Sequence, residues 1–126
     1  MGRATGIKAA LGMGARTPEE LEVLLEDTLL VRAGQALAEL FEAGAVFIAG
    51  DGQCARGGEA IAQCALALWA GPHSYVAEPL RMVQARDIAL IITECCINVA
   101  RRDRDGAWRY AIVRQLVEDV NERITQ

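Results

Sequence analysis

Glu94 is the one carboxylate set inside an apolar run, IALIITECCINVARR (88–102). A carboxylate in apolar surroundings has a raised pKa and can take or give a proton near neutral pH. Read as one long strand, the run puts Ile92, Glu94, Cys96 and Asn98 on one face and Ile91, Thr93, Cys95 and Ile97 on the other. Glu94 is then a pocket acid if its face lines an interior, or an ordinary solvent- or partner-facing glutamate. Asp51 precedes Gly52, which is a turn signature first and a pocket base second. His73, the single histidine, stands in a loop and is the one base available to a nucleophilic cysteine. On opposite strand faces, Cys95 and Cys96 cannot hold one ion together, and buried cysteine packs as a small apolar residue. Cys54, Cys64, Cys95 and Cys96 show no CxxC and no finger spacing, so no metal site is expected. Trp69, Tyr75, Trp108 and Tyr110 read as core or interface groups, or as rigid rings lining a small-molecule pocket. Arg81, Arg101, Arg102, Arg104, Arg109 and Arg114 read as exposed strand and turn charge paired with nearby acids.

The elements that must position these residues are written in turns and caps. TPEE (17–20) supplies an N-cap threonine, proline at the first helical position and Glu20 three residues past the cap. Leu21, Leu24, Leu25 and Thr28 follow at helical spacing. After Gly34 a second helix carries Leu37, Leu40 and Phe41 and ends near Gly44. AVFIAG (45–50) reads as a strand, DGQCARGG (51–58) as a turn, and GEAIAQCALALWAG (58–71) as a third helix. SYVAEPLRMV (74–83) alternates like a strand, with Pro79 placing it at an edge or bulge. ARD (85–87) turns the chain into the long strand 88–102. DRDG (103–106) turns it again into AWRYAIVRQLVED (107–119), so the charge there is punctuation and the aromatics are packing. Residues 1–16 read as a flexible Gly/Ala-rich arm before a domain at 17–126. Helices followed by strands mean α+β, with helices packed on one face of a sheet.

A chain of 126 residues, 52% hydrophobic and 24% charged, suits one globular domain with a real core. A net charge of −4 argues against nucleic acid, anionic membranes and polyanionic substrates. No apolar run reaches the ~20 residues a membrane span needs. Without a secretory signal, free thiols in the cytoplasm are the expectation.

Three stretches, LAELFEAGAVFIAGDGQCARGGEAIAQ, MVQARDIALI and VARRDRDGAWRYAIV, resemble in order and spacing the nuclear transport factor 2-like superfamily, especially its SnoaL-like and ketosteroid-isomerase-like branch. The resemblance covers roughly residues 17–115. It implies a cone: a curved antiparallel sheet wrapped around N-terminal helices, with an apolar pocket at one end and a homodimer through the sheet. The family often has a further strand pair before the last hairpin, where this chain shows no turn signal. None of three family mechanisms transfers residue by residue. The isomerase base falls near Ala49, with Asp51 two residues on. The cyclase aspartate falls in WRYAIVRQL, which holds no carboxylate before Glu118. The epoxide-hydrolase Asp-Arg-Asp set falls in TECCIN, which has neither Arg nor Asp. The expected function is therefore binding of a small apolar molecule in the cone, with no cofactor. The alternatives are an isomerase- or polyketide-cyclase-like enzyme using Glu94 or Asp51, and a dimerisation module.

Overall fold

The computed structural model describes residues 14–116. The expected arm, residues 1–16, therefore lies largely outside the described residues, as does the end of the expected domain beyond residue 116. Within the arm segment Ala15 is fully buried, and its carbonyl accepts the Trp108 N–H at 2.9 Å.

Helix α1 spans Pro18–Leu30. Thr17 caps it in extended backbone, its hydroxyl accepting the Glu20 N–H at 3.0 Å. Leu21, Leu25 and Leu29 form its buried stripe. A short α2, Gly34–Ala38, follows. The second helix stops earlier than its apolar spacing predicts, because Phe41 opens strand β1, Phe41–Ile48. The Leu40 carbonyl accepts the Tyr110 N–H at 2.8 Å and Phe41 pairs with Tyr110, so the sheet takes the chain before the helix can continue. Asp51-Gly52 makes the expected turn, with Gly52 at φ +92 and Asp51 Oδ1 accepting the Gln53 N–H. The chain then returns as a short β2, Cys54–Arg56, that the sequence had shown only as loop.

Helix α3, Gly58–Leu68, buries Ile61, Ala62 and Ala65. Residues 74–80 form no strand. They run irregularly across α1, where the Ala77 N–H donates to Glu26 Oε1 at 3.2 Å, and the ladder begins only after Pro79. Strands β3, Arg81–Ala85, and β4, Ile88–Ile92, form a hairpin whose turn places Arg86 at φ +57.

The expected long strand 88–102 is broken into β4 and β5, Cys96–Arg102. Thr93 makes the break. Its hydroxyl accepts the N–H groups of Cys95 at 3.2 Å and Cys96 at 3.0 Å, closing a turn that needs neither glycine nor proline. The break adds one strand, and β4 is followed directly by the last hairpin, with no further strand pair between them among the described residues. Strand β6, Trp108–Gln115, completes the sheet after the 103–107 loop, with Gly106 at φ +85.

The six strands lie in the order β2-β1-β6-β5-β4-β3. All neighbours are antiparallel except β1 and β6, which are parallel, so the sheet is mixed and not purely antiparallel. Register shifts in β1 between Phe41 and Val46, and between β5 and β6 at Val99/Ala100, curl it around α1 and α3. The outer face carries an aliphatic row across five strands: Val83, Leu90, Val99, Ile112 and Val46. Among the described residues no helix is long and apolar enough to cross a membrane.

Gly58 is where α3 meets α2. A Cβ there would press on the Ala38 carbonyl. Helix propensity favours alanine over glycine by about 1 kcal/mol, whereas overpacking costs about 1–3 kcal/mol. Gly58→Ala is expected to lower the urea midpoint of unfolding, with contact outweighing propensity; a raised midpoint refutes the close approach.

Candidate functional site

Four polar side chains meet inside the cone, each from a different element: Glu22 of α1, Tyr75 of the 74–80 segment, Asn98 of β5 and Tyr110 of β6. The Tyr75 hydroxyl donates to Glu22 Oε1 at 2.6 Å and the Tyr110 hydroxyl to Oε2 at 2.7 Å. Asn98 Nδ2 donates to Glu22 Oε2 at 3.1 Å and to the Tyr75 hydroxyl oxygen at 3.2 Å. No member is more than 2% exposed. Three donors on one carboxyl are what an ionised carboxylate accepts.

The cluster sits in an aromatic wall. Trp69 stacks edge-on to Tyr75 with centroids 5.0 Å apart, and Phe47 to Trp69 at 5.6 Å. Phe41 lies 5.4 Å from Tyr110. Burial, and after it the Glu22 carboxylate, pushes both tyrosine hydroxyls well above the ordinary tyrosine range.

Asn98 Oδ1 is buried and has no hydrogen-bond partner among the described residues. Turning the amide over would set that oxygen against the Glu22 carboxylate, acceptor against acceptor, so the amide orientation follows from its neighbours. Cys96, two residues earlier on the same strand face, is fully buried beside it.

Of the sequence candidates, Tyr75 and Tyr110 belong to the cluster and Trp69 to its wall. Trp108 is buried at the start of β6, under Ala15 and beside Arg102, whose guanidinium lies 5.7 Å from its ring. Glu94 is exposed in the Thr93 turn, so the face pattern drawn for a continuous strand does not hold. Asp51 is exposed in the β1–β2 turn and His73 in the 3₁₀ turn Gly71–His73. None of these three reaches the cluster.

The carboxylate that does, Glu22, was missed. Its signal was its spacing: Glu22 lies three residues before Leu25 and seven before Leu29, on the stripe that buries α1. Among the described residues no three His, Cys, Asp or Glu side chains gather as a metal site.

Away from the cluster, an open groove of about 620 Å³ over β1 and the β5–β6 loop is lined by Glu42, Arg101, Arg102 and Arg109. Its arginines are already paired: Arg101 with Glu42, Arg102 with Asp87, and Arg109 with Asp103 and Asp105.

No protein-family model matches the chain, and no curated protein matches it in sequence. Solved structures do match in shape. A nuclear transport factor 2-like protein from Cytophaga hutchinsonii superposes with TM-score 0.60 at 13% identity, covering 79% of this chain and 93% of that one. A domain of unknown function with a cystatin-like fold from Nostoc punctiforme gives 0.62 at 16% identity, over 83% and 77%. A candidate ketosteroid isomerase from Parabacteroides distasonis gives 0.57 at 17% identity, over 84% and 91%. The chain has the nuclear transport factor 2-like, α+β cone fold.

Tyr75 and Tyr110 are the only tyrosines, so tyrosinate absorbance reports on the cluster alone. Their folded pKa values lie above the unfolded one, so their contribution to stability is full below about pH 10 and falls as pH rises beyond it. Alkaline titration is expected to show tyrosinate appearing in a single step that coincides with loss of far-ultraviolet dichroism. Ionisation of either tyrosine in the folded state contradicts the cluster.

Proposed function

We propose that this chain binds a small, mainly apolar molecule carrying one hydrogen-bond donor, inside its cone, and works as a homodimer in the cytoplasm. The observation that carries the reading is the Asn98 side-chain oxygen, buried and unpartnered among the described residues, beside an aromatic wall. A buried acceptor without a donor costs about 1–3 kcal/mol, which a ligand hydroxyl or N–H would offset. Aromatic rings around a few placed polar groups are the usual make-up of small-molecule sites. Tyr75 is the one cluster member outside helix and strand, so the 74–80 segment is the wall that can admit a ligand.

The Parabacteroides match supports an isomerase-like reading, and the sequence resemblance a cyclase-like one, either now resting on Glu22 in place of Glu94 or Asp51. The enzyme reading is the weaker one. Both Glu22 oxygens already accept hydroxyl protons, so a substrate proton would have to displace one of them. The four free cysteines suit a reducing compartment.

The reading is tested with β-naphthol and naphthalene, which differ by one donor. β-Naphthol should raise the thermal midpoint at one molecule per chain and bind several-fold tighter than naphthalene, the worth of one hydrogen bond of about 1 kcal/mol. Asn98→Leu should abolish that difference. Equal shifts from both probes, or none from either, overturn the proposal.

The partner proposed is a second copy, seated on the outer sheet face. Val83, Leu90 and Ile112 are 48%, 37% and 42% exposed along the aliphatic row, with half-buried Val99 and Val46 continuing it. A row of this kind, flanked by Arg81 and Arg114, can face itself across a two-fold axis, apolar on apolar. Sedimentation should give a dimer for the native chain and a monomer for the folded variants Leu90→Glu and Ile112→Glu. A native chain that sediments as a monomer removes the dimer from the reading.

A further inference from the structure

The Thr93 turn does more than break a strand. It brings the sulfurs of Cys95 and Cys96 to 3.2 Å, although neighbours in a regular strand would point apart. The two thiols differ in setting. Cys95 is half-buried at the turn, with Thr93 Oγ1 3.6 Å from its sulfur. Cys96 is fully buried, on the same strand face as Asn98.

We propose that Cys95 and Cys96 are a hydroperoxide-reactive pair, Cys95 the attacking sulfur and Cys96 the resolving one, whose product is a disulfide between neighbouring residues at the wall of the cone.

Reactive cysteines combine thiolate character, access and a nearby resolving thiol. The Cys96 hydrogen bond is the main cause holding the Cys95 thiol down, at about 7, while its other partner Thr93 acts in the same direction. Cys96 moves the opposite way, pushed far up by its hydrogen bond with Cys95 and by burial. Cys64, raised by burial and by Asp51, has no such help. The asymmetry divides the labour between the pair.

In the first step the Cys95 thiolate attacks one oxygen of the hydroperoxide. The O–O bond breaks, an alkoxide leaves and takes up a proton as alcohol, and Cys95 becomes a sulfenic acid. In the second step the Cys96 sulfur attacks the Cys95 sulfur. The S–S bond forms, the S–O bond breaks, and hydroxide leaves with the Cys96 proton as water. Two thiols are oxidised and one hydroperoxide is reduced to alcohol and water. The inference does not depend on what the cone binds.

The experiment uses the full chain carrying Cys54→Ser and Cys64→Ser, treated with hydrogen peroxide. The intact mass should fall by two hydrogens, the change should reverse with dithiothreitol, and peptide mapping should place the bond within residues 95–96. Adding Cys95→Ser should slow peroxide consumption about tenfold and abolish the mass loss. Adding Cys96→Ser, or Cys96→Ala if the serine is not tolerated in the core, should leave a sulfenic acid on Cys95 that dimedone captures. A mass loss that survives Cys95→Ser, a Cys96 variant that dimedone does not label, or a native pair that peroxide leaves as thiols overturns the proposal.

Discussion

Everything inside this cone answers to one constraint: the Glu22 carboxyl is buried, and among the described residues no cation pairs with it. Removing a charge from water costs several kcal/mol even after relaxation, and only well-made hydrogen bonds offset that. Here three donors do so, and they come from three places far apart in the chain: position 75 in a loop, 98 in β5 and 110 in β6. One acid on the first helix thus specifies where the loop lies, which way β5 faces and which way β6 faces. A slip of one residue in either strand would turn Asn98 or Tyr110 outward and strand the carboxylate.

The sheet had to bend to meet that demand. Across β5 and β6, Val99 pairs with Ile112 and Ala100 with Tyr110, so Ala111 is the extra residue of a bulge. The bulge lets Tyr110 and Val113 both face inward, three residues apart, where a regular strand would allow only an even spacing. In β1, Phe41, Ala45 and Phe47 face inward at even spacing, and the register shift between Phe41 and Val46 sets that strand against the bulged β6. The two devices curve the sheet around α1 and α3, and they leave the aliphatic row Val83, Leu90, Val99, Ile112 and Val46 on the outside.

Legibility followed the kind of signal. The N-cap at Thr17, the Asp51-Gly52 turn, the 85–87 turn and the 103–106 turn are all local backbone chemistry, and each stands where its residues say. The second helix was overread because Phe41 is held by a parallel partner nearly 70 residues away, and no local pattern reports that. The break at Thr93 was invisible because a side-chain hydroxyl, not a glycine, closes it. That single miss displaced the candidate site, since it made Glu94 look interior and the adjacent thiols look divergent. Tyr75, Tyr110 and Trp69 were found because large aromatics rarely stay outside. Glu22 was passed over because a glutamate on an exposed-looking helix is ordinarily solvated, and only its place on the stripe argued otherwise.

Folding alone accounts for Glu22, Tyr75 and Tyr110, whose polar atoms are all satisfied by one another. It does not account for Asn98 in the same way. One half of its amide is needed to reach Glu22 and Tyr75, and that need points the other half, Oδ1, into apolar surroundings with nothing to accept. A fold selected only for stability would place there a donor with no acceptor attached, or an apolar group with the cluster trimmed to match, since a half-satisfied polar group is worse than none. The uncompensated oxygen is therefore the part of the cluster that stability does not explain. It faces the same interior as Cys96, two residues earlier on the same strand. The polar end of the cone and its redox-active wall are thus one stretch of β5, and whatever moves the Cys96 sulfur moves the backbone that aims Asn98.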